Sequence, residues 1–225
     1  MKSITMRDPA RTAECESREL ASDLFHQLSQ PLTTLCCSLE LALLQTPTAE
    51  QYGEILRHAL GQAEKASSLI TAIRELFDAS QPGEGGEVLE LRRAVADTVG
   101  DLLPVAESAG VQVCYTPGPA CPVWFAAPRL RRGLFHLIGF VIGSGGATVE
   151  IELAERGAEA VLTLTISRVG VYPGLSPVNP DDELLRRLGL GIARAIFEAA
   201  GGSLTVRREA ALLRVEVRFL QNAVE

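Results

Sequence analysis

The sequence predicts an α+β protein in two parts. Residues 1–80 form an antiparallel helical hairpin that pairs with a second copy into a four-helix bundle, and residues 88–225 form an α/β sandwich. The first observation behind this is that apolar residues between Leu20 and Phe77 recur at steps of three and four, the spacing of a single helical face. The second is the stretch "SQPGEGGE", whose Gly and Pro mark residues 81–87 as a linker. The third is the pattern beyond it, where short alternating segments are interrupted by helical ones, as in a layer of strands covered by helices.

In the first helix the expected seam is Leu20, Leu24, Leu28, Leu32, Leu35, Leu39 and Ala42. "QTPTAE" then breaks the helix and starts another. Thr48 reads as its N-cap, and Gln51 three residues on completes a capping box. In the second helix Tyr52, Ile55, Ala59, Ala63, Ala66, Ile70, Ile73 and Phe77 make a near-heptad seam. One hairpin cannot bury both seams by itself, so a homodimer is expected. After the linker, "EVLEL", "VQVCY" and "PVWF" read as strands, with helices over 92–108 and 128–142. "ATVEIELAE" and "AVLTLTIS" alternate around "RGAEA" as a hairpin does. A loop over 171–182, a helix over 183–199 and the strands "SLTVRRE" and "ALLRVEVRFL" complete the chain.

The chain is 47% hydrophobic and 22% charged, which suits a globular protein with a sizeable core. Its net charge of −7 and its lack of a basic stripe with interleaved aromatics argue against a nucleic-acid surface. No apolar run has signal-peptide or membrane-span length, so a cytoplasmic protein is expected, with no membrane partner. The odd set Cys15, Cys36, Cys37, Cys114 and Cys121 suggests reduced thiols. With no CxxC, and with His26, His58 and His136 far apart, no metal site is expected.

The informative stretch is "DLFHQLSQPLTTLCCSLELAL", residues 23–43. His26 lies about 200° round the helix from Leu24 and Leu28, and so points away from the seam. Gln30 shares its face, and Thr33 and Cys37 continue the same outward strip. Pro31 removes a backbone donor from the carbonyl of Gln27 and is expected to bend the helix beside the histidine. Imidazole titrates near neutrality, so an exposed neutral ring can act as a nucleophile.

"FHQLSQPLTTL" resembles the histidine box of two-component sensor kinases, in which a phosphoryl-accepting His precedes Pro-Leu. "LRRGLFHLIGFVIGSG" is similar to the asparagine box of their ATP-binding domain, "LTISRVGVYPG" to the first glycine box, and "RLGLGIARAIFEAAGGSLTV" to the second. The resemblance spans roughly 200 residues in the family's order. It implies a dimerisation and phosphotransfer hairpin followed by a degenerate kinase-type, Bergerat-like α/β sandwich.

Several positions depart from the family's pattern. Phe140 stands where the resemblance implies a Mg²⁺-ligating Asn, and His136 stands at the earlier Asn of the box. Phenylalanine offers no oxygen to a hard cation. Arg168-Val169-Gly170 replaces Asp-x-Gly, and a guanidinium has no acceptor for the adenine amino group. Arg187 replaces the first Gly of the second glycine box. Gln27 follows the histidine where active kinases carry an acidic base. The retained Gly189, Gly191, Gly201 and Gly202 are then read as serving tight turns and close helix–strand packing.

The expected function is accordingly a histidine phosphotransferase. His26 would relay phosphoryl groups between the aspartates of response-regulator receiver domains, one of which can belong to a hybrid histidine kinase, without ATP-dependent autophosphorylation. Gln27 and Gln30 would support the phosphoryl group, while Thr33, Thr34 and Cys37 would dock the partner. Arg168 or Arg187 would offer a second contact to acidic residues of a receiver. No cofactor is expected on this chain, since the receiver supplies the Mg²⁺. The alternatives are a non-catalytic pseudokinase that sequesters a kinase or regulator, and a phospho-aspartate phosphatase in which Gln30 places water.

Overall fold

The computed structural model describes residues 9–44, 47–81, 85–144, 148–167, 180–209 and 212–220, without the side chains of 9–23, 25 and 180–183. Arg168, Val169 and Gly170, the side chain of Cys15 and the expected loop at 171–179 lie outside the described residues. The chain divides into two compact units, Met1–Ala72 and Ile73–Glu225.

The first unit is built from α1 (Pro9–Leu44) and the greater part of α2 (Ala49–Ser80). The capping box closes α2 as expected. Gln51 N–H donates to Thr48 Oγ1 at 3.3 Å, and Thr48 N–H donates to Gln51 Oε1 at 2.9 Å. Two donors that the first turn would leave open are thereby satisfied.

The expected seams each split in two. On α1, Leu24, Leu28, Pro31, Leu35, Ser38 and Ala42 are the buried and half-buried positions, at steps of 4, 3, 4, 3 and 4. Leu32 and Leu39, placed in the same seam by the sequence, are exposed at 43% and 38%. With Leu43 they form a second apolar stripe about 60–100° round the helix. On α2, Ile55, Ala59, Ala66 and Leu69 turn inward, while Tyr52, Leu56, Leu60 and Ile70 are exposed. Steps of three and four can follow either stripe, so the spacing alone blended them. The side chain of Leu20 lies outside the described ones.

The second unit begins with the last residues of α2 and continues through β1 (Glu87–Glu90), α3 (Leu91–Ser108), β2 (Gln112–Thr116), β3 (Pro122–Phe125) and α4 (Ala127–Ile142). It ends with β4 (Thr148–Arg156), β5 (Glu159–Ser167), α5 (Pro180–Ala199), β6 (Ser203–Glu209) and β7 (Leu212–Leu220). α5 starts at Pro180, so residues 180–182 are helical where a loop was expected. The five-stranded sheet runs β2-β4-β5-β7-β6, and β1 pairs with β3 in a small ribbon. Only β2–β4 is parallel, because α4 and β3 lie in the crossover between them; the other neighbours are antiparallel. Gly157, with φ of 65°, occupies the first central position of the two-residue β4–β5 turn, where an L side chain would be strained.

Along β4 the side chains alternate between core and surface, as in a sheet covered on one face. Val149, Ile151, Leu164, Val215 and Val217 meet Leu91, Val95, Leu134, Ile138, Ile192 and Phe197 from the helices in one core. Phe125, Phe197 and Phe219 meet edge to face, with centroids 5.2–6.4 Å apart. Each such side chain, taken fully from water, contributes about 1.5–3 kcal/mol. α3 is opened by Glu90, whose carboxylate accepts from Arg92 N–H, Arg93 N–H and, across the ribbon, Cys121 N–H.

Candidate functional site

α1 runs without interruption through Pro31, whose ring is buried. Turning the proline inward puts the opposite flank of the helix in solvent, and His26 lies there, exposed. Gln30, also exposed, brings its amide Nε2 to 3.1 Å from His26 Nε2. An amide nitrogen donates and cannot accept, so this contact uses the lone pair of Nε2 and leaves the ring proton on Nδ1. The nitrogen that Gln30 contacts, Nε2, is therefore the one that carries a nucleophilic lone pair.

Thr33 and Cys37 are exposed on the same strip, within about 60° of His26 and Gln30. Gln27 is half-buried, and Thr34, seven residues on, is exposed on the same shoulder nearer the seam. The carbonyl of Thr34 accepts from Ser38 Oγ at 2.7 Å. Sequence reasoning thus found the strip, but it missed that Pro31 belongs to the buried seam. The heptad spacing Leu24, Pro31, Ser38 carried that signal.

In the second unit, α4 and α5 carry the positions that the sequence flags. Phe140 is buried at 9% exposure, and the Arg186 guanidinium lies over its ring, 5.5 Å from the centroid. His136, the other flagged position of this helix, brings its Nε2 to 3.1 Å from Glu75 Oε2. Burial pushes the His136 pKa down from its ordinary value, although the Glu75 carboxylate pulls it up; Arg132 adds to the lowering. Arg187 is exposed. Neither the Arg186–Phe140 stack nor the Glu75–His136 pair has a local signature in the sequence.

The retained glycines fall into two classes. Gly201 has φ of 78°, and a Cβ on Gly202 would come within 2.7 Å of the Arg218 carbonyl, so turn and packing both require them. Gly189 and Gly191 correct the expectation. A Cβ added on Gly189 would meet His136 Nδ1 at 3.6 Å and the His136 carbonyl oxygen at 3.8 Å, and one on Gly191 would meet Leu76 Cδ1 at 3.7 Å, ordinary contacts that alanine would tolerate. Packing inside α5 therefore does not explain these two.

No protein-family model matches the chain. It is 25% identical over 206 residues to the sensor protein IrlS of Burkholderia pseudomallei (strain K96243), an alignment covering 85% of this chain and 44% of that protein. The chain thus spans less than half the length of this relative. Among solved structures it is similar to the histidine kinase AdeS of Acinetobacter baumannii, with a TM-score of 0.62 at 19% identity, covering 88% of this chain and 98% of that one. It is also similar to the histidine kinase ThkA, solved in complex with the response regulator protein TrrA, with a TM-score of 0.64 at 14% identity, covering 95% of this chain and 64% of that one. Among the described residues no helix is long and apolar enough to cross a membrane. The chain has the fold of a sensor histidine kinase core, in which a helical hairpin precedes an α/β domain of kinase ATP-binding type.

Proposed function

We propose that the chain is a histidine phosphotransferase of a two-component phosphorelay. His26 accepts a phosphoryl group from the phospho-aspartate of one receiver domain and returns it to another, without autophosphorylating from ATP. The observation that carries this reading is the exposed His26 ring with Nε2 held by Gln30 at 3.1 Å. In the transfer, the Nε2 lone pair attacks phosphorus in line with the leaving carboxylate. The N–P bond forms, the P–O bond breaks, and aspartate leaves with the bonding pair. Gln30, freed from the ring, then donates to a phosphoryl oxygen, with Gln27 beside it. Little beyond positioning and charge stabilisation is asked of the protein, and the receiver brings the Mg²⁺.

Autophosphorylation is a different demand. Where the family resemblance puts a Mg²⁺-ligating amide, Phe140 presents carbon beneath a guanidinium, and hard cations take oxygen ligands. These residues do not fit Mg²⁺–ATP. Gln27 has no proton affinity to serve as the base.

The relative ThkA was solved with a response regulator, which supports a receiver domain, free or within a hybrid kinase, as partner. Thr33, Thr34 and Cys37 extend the exposed surface on which it would dock. The second apolar stripes, Leu32, Leu39 and Leu43 on α1 with Leu56 and Leu60 on α2, support a homodimeric four-helix bundle. Free thiols at Cys36 and Cys37 suit a reducing, cytoplasmic setting.

The test is to mix the protein with receiver domains phosphorylated on aspartate and follow label onto the chain. Label that is acid-labile and disappears in His26→Gln supports the reading. Binding without label would establish sequestration instead, and loss of receiver phosphate without labelled protein would establish a phosphatase. Saturable Mg²⁺–ATP binding in a titration would overturn the claim that kinase activity is lost. For the dimer, Leu56→Glu combined with Leu60→Glu is expected to shift the sedimentation coefficient to that of a monomer.

A further inference from the structure

The imidazole–amide pair of α1 has a counterpart on α2. His58 is exposed, and the Nε2 of Gln62, four residues on, lies 3.5 Å from His58 Nε2. The local sequences follow one pattern: "HQLSQ" over 26–30 and "HALGQ" over 58–62, each His, any residue, Leu, a small residue, Gln. We propose that His58 is a second phosphoryl acceptor, taking its phosphoryl group from the same class of donor, a receiver's aspartyl phosphate. The inference rests on the phosphotransfer reading of His26.

Access supports it. On a helix the residues three and four positions on are the nearest neighbours of a side chain. Beside His58 these are Gly61 and Gln62, and a Cβ built on Gly61 would meet nothing within 4 Å. A glycine weakens a helix interior, and no packed neighbour requires one here. What it provides is clearance on the approach to the ring, as Ser29 does beside His26. Glu54 lies one turn before the ring on the same face, while Arg57, adjacent in sequence, lies about 100° round the helix.

The chemistry is the same balanced exchange. The tautomer with its proton on Nδ1, the one compatible with the Gln62 amide nitrogen 3.5 Å from Nε2, carries a lone pair on Nε2. That pair forms the N–P bond as the P–O bond to aspartate breaks, and the carboxylate leaves with the bonding electrons. The Nδ1 proton stays on the ring, and onward transfer to a second aspartate is the reverse step.

The experiment uses the full chain and a panel of receiver domains charged with radiolabelled acetyl phosphate and Mg²⁺. Label is located by peptide mapping under alkaline conditions that preserve phosphohistidine. The expected result is label on both the His26 and the His58 peptides. His26→Gln should keep the second, His58→Gln should keep the first, and the double variant should lose all. Gly61→Leu, which favours the helix and fills the clearance, should remove the His58 label and spare that on His26. Label that vanishes entirely in His26→Gln would overturn the second site and leave the first standing. An unlabelled wild-type chain across the panel would overturn both.

Discussion

At Phe140 a single ring on α4 is held by a charged side chain from another helix. Its ring is shielded from water, and the Arg186 guanidinium lies 5.5 Å from its centroid in a cation–π contact. Phe140→Ala removes the ring from a buried site and is expected to cost about 3 kcal/mol, read as a lower urea midpoint at unchanged m. Arg186→Ala costs less, because Arg186 is only half-buried. The coupling between the two, measured by a double-mutant cycle, should be about 0.5–1 kcal/mol. A coupling of zero would mean that the arginine merely lies above the ring. At His26 the sequence was legible because exposure follows from the angle to the seam, and the contact with Gln30 follows from the helical repeat. Arg186 was not legible as the partner of Phe140, since 46 residues separate them and no periodicity relates α4 to α5.

Among the elements, the glycines of α5 and its C-terminal turn make opposite predictions. Gly191→Ala places a methyl group in ordinary contact with Leu76 and removes a flexible residue from a helix interior, so it should stabilise the second unit by about 0.5–1 kcal/mol. Gly202→Ala forces a Cβ against the Arg218 and Phe197 carbonyls, and should destabilise by about 1–3 kcal/mol. Thermal denaturation of the pair side by side checks both signs. Glu90 makes a third case. Its carboxylate accepts from two N–H groups of the first turn of α3 and from Cys121, so Glu90→Ala should cost about 1–2 kcal/mol in the same assay. The strands and helices of this unit were legible because the sequence carries their periods of two and 3.6 cleanly, and "RGAEA" marked the β4–β5 turn. The paired stripes of α1 and α2 were not, because a helix with two apolar faces satisfies three-and-four spacing on both. Glu90 was missed as a cap because glutamate is an uncommon N-cap, and its role depends on Cys121 across the β1–β3 ribbon.

On the scale of the molecule, the second unit takes in the end of α2, and one titrating group marks that junction. Leu76 and Ala79 join its core, and Arg129 donates to the Ala79 carbonyl at 2.7 Å. Next to them His136 of α4 meets Glu75 of α2 at 3.1 Å, with Arg132 on the preceding turn of α4. Burial holds the His136 pKa below its ordinary 6.5, with Arg132 acting in the same direction and Glu75 against both. The unfolded chain therefore binds a proton near pH 6.5 that the folded chain still refuses, and stability falls as pH drops through that value. Between pH 7.5 and 5.5 the midpoint of urea unfolding should decrease. The single tryptophan, Trp124 in β3 of this unit, reports the transition by its fluorescence. His136→Leu should flatten that part of the profile. Glu75→Gln removes the one group that favours protonation, so His136 should resist charging further and the acid-side loss should extend to lower pH. A wild-type midpoint that rose between pH 7.5 and 5.5 would mean instead that the carboxylate outweighs burial and that the folded-state pKa of His136 lies above its ordinary value.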